Sequence, residues 1–333
     1  MRKLNYKIYK NILLTGAGFT KNFGGFLAKE MWQQILNHKS VQNQERIVKI
    51  LENDFNYESV YYKVVEGEEY TQEEKNAIIE AVEDAYKNLD NIIRKFRTNF
   101  NKVDIYKIYE MLKWFEGKQQ SKGFFFTLNQ DLFIERHCFP AIKPVIPGIP
   151  KNDKWLGGNS TAPLENSDFI TLPSNLDSIE SSLSNGRFFY IKLHGSQNWR
   201  SHNGTNLMVI GRKKVDRISE EPLLSWYFTI FKEVLAQEKR RLLIIGYGFN
   251  DEHINEIIAK SRNKHNLELV IISPDSPKNF KQNLKKKPYG DEIWSGCRSL
   301  YYFCGALYSI IPYNYYVGET PDYHQLKNIF LTI

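Results

Sequence analysis

The chain has 333 residues, 42% of them hydrophobic, and carries 45 Lys and Arg against 38 Asp and Glu, for a net charge of +7. That length and apolar content suit an ordinary soluble globular protein and exclude a disordered or fibrous one, while the positive balance suits an anionic partner, a nucleotide or a nucleic acid. The three cysteines, Cys138, Cys297 and Cys304, form no Cys-x-x-Cys pair, which argues against a disulfide framework and for a reducing, cytoplasmic compartment.

The basic N-terminus "MRKLNYKIYK" lacks an apolar core and does not read as a secretory signal. The first strand, 11–15 (NILLT), runs into Gly16-x-Gly18 and a polar stretch, a turn that lets backbone amides approach a phosphate at a helix start. It is not a dehydrogenase loop. Lys21 stands where a third glycine is needed, and no acidic residue follows at the distance that holds a ribose.

Residues 30–120 read as a helical insertion. "TQEE" at 71–74 makes a capping box, and Ile78, Ile79, Val82, Tyr86, Leu89, Ile93 and Phe96 follow at helical spacing. A second helix over 104–115 carries Ile105, Ile108, Leu112 and Phe115 before Gly117 stops it. The second strand, 123–127 (GFFFT), ends in "TLNQD", whose Thr127, Asn129 and Asp131 would point to one side in extended chain; alternatively Asn and Asp cap the next helix. The stretch 138–180 is rich in proline and glycine (Pro140, Pro144, Pro147, Pro150, Gly157, Gly158, Pro163 and Pro173 among them) and has no period, so it is expected to be a long loop that acts as a mobile cover.

The third strand, 188–193, leads directly to His194 and Gly195. The fourth, 241–245, leads to Gly246, Gly248 and Asp251, and the fifth, 267–272, to Ser273 and Asp275, which could meet a ribose hydroxyl or cap a turn. Lys285-Lys286-Lys287 reads as a solvated loop, and 301–317 as a buried terminal strand and loop, too short and too proline-bearing to span a bilayer. Five apolar runs without alternation require a parallel sheet covered on both faces, and ligands in such sheets sit at the carboxyl ends of the strands. The class is α/β, in one domain spanning 1–333.

Together these motifs resemble the sirtuin (SIR2) family, and more closely its bacterial SIR2-like branch associated with antiphage defence. "GAGFT" at 16–20, "TLNQD" at 127–131, "LHGS" at 193–196 and "GYGFNDEHI" at 246–254 match the family's motifs in the family's order. The resemblance implies a Rossmann-like sheet and a site that cleaves NAD+ to nicotinamide and ADP-ribose or its cyclic form. By position, Gly16, Ala17, Gly18 and Thr20 would line the phosphates, and Thr127, Asn129 and Asp131 the nicotinamide ribose and carboxamide. His194 would be the general base, and Gly246, Gly248, Asp251 and Ser273 would lie toward the adenosine half. The four-cysteine zinc module of protein-deacylating sirtuins is missing, since no cysteine occurs between 139 and 296. A metal-free site is therefore expected, with NAD+ as substrate.

The resemblance further implies control by homo-oligomerisation, a phage trigger protein or a partner ATPase of the HerA type, with no membrane partner. The length leaves little room for a sensor domain, so the trigger is expected from a separate protein. Two other readings stay open: a deacylase or ADP-ribosyltransferase of the same fold, and a non-catalytic module binding NAD+ or nucleic acid.

Overall fold

A computed structural model describes residues 6–96, 102–150, 161–176, 179, 183, 186–204, 214–313 and 318–331. Its centre is a six-stranded sheet built from β1 (Ile8–Thr15), β2 (Lys122–Thr127), β4 (Phe188–Lys192), β6 (Arg241–Ile245), β7 (Glu268–Ser273) and β8 (Leu300–Cys304). The order is β4-β2-β1-β6-β7-β8, and every pairing is parallel. β3 (Ile170–Thr171) and β5 (Trp199–Arg200) form a separate parallel pair. This is the mixed α/β, Rossmann-like sheet that the five apolar runs imply.

The runs are continuous because the sheet is covered on both faces. Leu13, Phe125, Tyr190, Leu243 and Val270 point into one apolar core. Their neighbours Ile12, Leu14, Phe124, Phe126, Phe189, Leu242, Ile244 and Ile271 point into the other. A strand that buries successive residues on opposite faces gains from apolar side chains at every position.

The first core is closed by helices between β1 and β2, namely Ala28–Leu36, Lys39–Gln42, Glu45–Asn53, Tyr57–Glu66, Gln72–Ile93 and Ile105–Lys113. Gln72–Ile93 starts where the capping box places it: the Thr71 hydroxyl accepts from the Glu74 amide, and the Glu74 carboxylate accepts from the Thr71 amide at 2.8 Å. The second core is closed by Pro222–Leu235, Glu252–His265 and Pro277–Lys285.

The helical layer is anchored behind the sheet by a buried ion pair. Arg136, in the π-helical turn Ile134–Cys138 that follows β2, bonds Asp90 of Gln72–Ile93 through Nε at 2.9 Å and Nη2 at 2.7 Å. Both side chains are almost wholly buried. Beside it Lys192, the last residue of β4, is buried against Glu135 at 2.7 Å.

Of the 301–317 stretch, 314–317 lie outside the described residues; the rest does contain a strand, but not a buried one. β8 is the sheet edge, paired only with β7, and Tyr301 is exposed. Phe303 reaches the first core while Leu300 and Tyr302 only partly cover the second, the half-covered packing of an edge strand. Within 138–180 the described elements include the helix Phe139–Ile142, a 3₁₀ turn at Asn166–Asp168 and β3; residues 151–160, 177, 178 and 180 of the expected cover lie outside the described residues. Among the described residues no helix is long and apolar enough to cross a membrane.

Candidate active site

The ends of β1, β2, β4 and β6 are level, with Thr15 beside Thr127 and Ile245, and Thr127 beside Lys192. Chain order reverses between β1 and β6. The loop after β1 feeds Phe19 into the first core, and the loop after β6 feeds Tyr247 and Phe249 into the second. A crevice must open where neighbouring loops leave in opposite directions, and this is the switch point at which open parallel sheets bind ligands. A cavity of about 1170 Å³ lies there.

Its floor is backbone. Gly16, Ala17, Gly18, Gly246 and Gly248 line it. The two loops are in direct contact: the Gly16 amide donates to the Ile245 carbonyl at 3.0 Å and the Gly18 amide to the Gly246 carbonyl at 2.9 Å. Gly246 has φ of +67°, and a Cβ on it would fall 2.2 Å from the Phe19 nitrogen. The glycine is thus required twice, by its left-handed backbone and by the approach of the β1 loop. The Gly18 amide, expected to face a phosphate, is spent on this contact.

Asn129 lines the cavity from the β2 side. Its Nδ2 donates to the Gly16 carbonyl at 3.1 Å and to the Thr20 hydroxyl at 2.9 Å. A carbonyl only accepts, so the atom facing Gly16 must be the amide NH₂, and the amide oxygen is the group left for a ligand. Thr127 and Asp131 do not line the cavity with it. Thr127 hydroxyl accepts from the Asn129 amide at 3.1 Å, and Asp131 Oδ1 accepts from the Phe133 amide at 3.0 Å. β2 stops at Thr127, so the two-residue alternation that would have aligned the three side chains stops too. Thr20 is also buried beneath the floor, bonded to both Asn129 and Asp131. Burial pushes the Asp131 carboxyl above its ordinary range, with the Lys192 ammonium opposing. Ser273, at the end of β7, accepts from the Asp275 amide and lies away from the cavity, the turn-capping alternative for that pair.

His194 follows β4 by two residues, is 4% exposed and lines the cavity. Burial holds its ring down at about 3, against an upward pull from Asp251. The ordinary imidazole range therefore does not apply to it. Its Nε2 lies 3.2 Å from Nε2 of His253. His253 sits in the first turn of the helix Glu252–His265 and packs against the Phe228 ring at 5.5 Å. Asp251 completes the group, one donor atom from each of the three residues lying within 4.8 Å of the others. No such cluster was visible in sequence spacing, because His194 comes from a distant strand. Two imidazoles and a carboxylate would suit a divalent cation, but the Lys214 ammonium already sits 2.9 Å from Asp251 Oδ1.

Lys214 is nearly buried between two carboxylates, Asp251 and Glu58, the latter at 2.7 Å. Burial works against its charge, but the two acids outweigh it and hold the ammonium well above its ordinary value. Burial likewise works against the Asp251 carboxylate, but His194 and Lys214 hold it down at about 2. The loop carrying Asp251 is fixed by two buried side chains. Tyr247 hydroxyl donates to Asn255 Oδ1 at 2.9 Å, and Asn255 Nδ2 donates to the Phe249 and Pro288 carbonyls. Glu58 and Tyr57 reach the cavity from the helical insertion. Sequence reasoning missed Glu58, Lys214, His253 and Asn255; of these His253 and Asn255 lay in or at the end of the stretch already marked, "GYGFNDEHIN".

Residues 123–290 match the family model of the SIR2-like domain, from β2 through the helix after β7. The match takes in Asn129, His194 and the 246–254 loop but begins after the Gly16-x-Gly18 turn. No curated protein matches the chain. With half of the chain matched, and a parallel sheet carrying the motif residues at its switch point, the chain belongs to the SIR2-like family.

Proposed function

We propose that the protein is an NAD+ glycohydrolase, releasing nicotinamide from NAD+ and leaving ADP-ribose or its cyclic form. The SIR2-like family includes NAD-dependent enzymes, and one observation carries the finer reading: a hydrogen-bond acceptor, Asn129 Oδ1, and a neutral imidazole, His194, line one cavity with a glycine floor. Glycines without side chains let an extended dinucleotide lie close to the backbone. The Asn129 oxygen can accept from a ribose hydroxyl or an attacking water. His194, unprotonated at neutral pH, can take the proton from that oxygen as an oxocarbenium-like ribose parts from nicotinamide. No step calls on a metal, and activity is expected to survive a chelator. Incubating the purified chain with NAD+ and measuring released nicotinamide tests the reading; no release from the pure chain or its assembled form would overturn it.

Depletion of NAD+ in the cytoplasm as an antiphage response, with control by homo-oligomerisation, a phage trigger protein or a HerA-type ATPase, is the biological setting we propose. It rests on the motif resemblance. A deacylase reading is weakened by the cysteine-free span 139–296.

A further inference from the structure

Hydrolysis of NAD+ is not proton-neutral. Water loses a proton as its oxygen bonds to the ribose carbon, the glycosidic bond breaks, and neutral nicotinamide leaves, so one proton per turnover must reach solvent. His194, the group placed to receive it, is 4% exposed. Its Nε2 faces the Nε2 of a second imidazole at 3.2 Å. Two such nitrogens lie at that separation only with one proton between them: none would leave two lone pairs opposed, and two would drive the hydrogens together. The resting pair therefore holds one shared proton on the line joining the rings. His253, the more open of the two, also lines the cavity.

Resting on the hydrolase reading, we infer that His253 is the proton exit of this site, a positioning and relay residue that accepts the shared proton when His194 takes one from water. The N–H formed on His194 replaces the one passed to His253, which becomes an imidazolium and then loses its proton to solvent. The Asp251 carboxylate, within 4.8 Å of both rings, faces that cation. Lys214 and, through it, Glu58 keep Asp251 ionised and in place. The other side of His253 meets the uncharged Phe228 ring. The arrangement explains why a carboxylate buried with a lysine stands behind two histidines.

The test compares wild-type chain with His253→Gln and His253→Asn, which keep a hydrogen-bonding group but cannot carry a proton. Both are expected to lower kcat by about tenfold or more, with KM for NAD+ and the melting temperature nearly unchanged, and added imidazole is expected to restore part of the loss. Unchanged kcat would overturn the relay while leaving the hydrolase reading intact. A loss that imidazole at any concentration fails to relieve would make His253 structural and overturn it too. Wild-type activity abolished by a chelator and restored by a divalent cation would make the three side chains metal ligands, again against the relay. Wild-type chain that releases no nicotinamide would defeat the hydrolase reading itself and the relay with it.

Discussion

At the scale of single residues, Asn129 has two jobs that a substitution can separate. Its NH₂ ties Gly16 to Thr20, which leaves its oxygen as the group to meet a ligand in the cavity the residue lines. Asn129→Ala should abolish nicotinamide release and lower stability by about 1 kcal/mol for the lost internal bonds; near-normal turnover would remove it from the chemistry. Asn129→Asp keeps an acceptor but loses both donors and should be impaired as well. His194→Ala should cut turnover at least about a hundredfold while NAD+ still binds. The sign of its pH dependence follows from burial. A base works above its pKa, and this ring is held at about 3, so kcat/KM should stay level as pH falls from about 8 to about 5. A His194-dependent decline near the ordinary imidazole pKa would show that the ring is not buried in the working enzyme. Gly246→Ala should be highly damaging, at about 1–3 kcal/mol for the backbone alone, because its Cβ would meet the Phe19 nitrogen and the Gly18 backbone, which cannot give way as a flexible side chain could; an unaltered melting temperature would contradict the close approach of the two loops.

At the scale of elements, the helical layer is held to the back of the site by Arg136 and Asp90. Removing one partner strands a buried charge. Asp90→Ala should cost about 3–5 kcal/mol, whereas Asp90→Leu combined with Arg136→Met should cost much less, since no charge is left uncompensated. Denaturant melts of the single and double variants check this, and a double variant worse than the single would refute it. The elements differ in how plainly the sequence announced them. β1, β2, β4, β6 and β7 were legible because each is buried on two faces and needs no polar residue, and Thr71 with Glu74 announced Gln72–Ile93 through chemistry local to four residues. β8 was read as buried because tyrosines count as apolar whether one ring face or both is covered. The motif residues were legible as strand-end clusters, but their roles were not. Thr127 and Asp131 share a motif with Asn129 and fall behind it, and Lys214 and Glu58 join the site through tertiary folding that no local spacing encodes.

At the scale of the whole molecule, the buried His194 and the half-buried His137 both weaken the fold in acid. His137, whose ring bonds the Ile93 carbonyl at 2.8 Å, is held by burial at about 4, and His194 at about 3. Both bind protons more readily when the chain unfolds, at about 6.5. Stability should therefore be full above that pH and fall progressively as pH drops toward about 4, the unfolded state taking up protons that the folded state refuses. Melting temperatures recorded across that range test it, and a flat profile would place both rings in water.

The central strand has a consequence for biosynthesis. β1 leaves the ribosome well before β6, yet Asn11 lies opposite Arg241 and the Gly16 amide awaits the Ile245 carbonyl. Until residue 246 has been made, the nascent chain has no floor on which a dinucleotide could lie. A nascent chain that has not reached β6 therefore lacks the cavity, and a product terminated before β6 would be without it however well its earlier portion had folded.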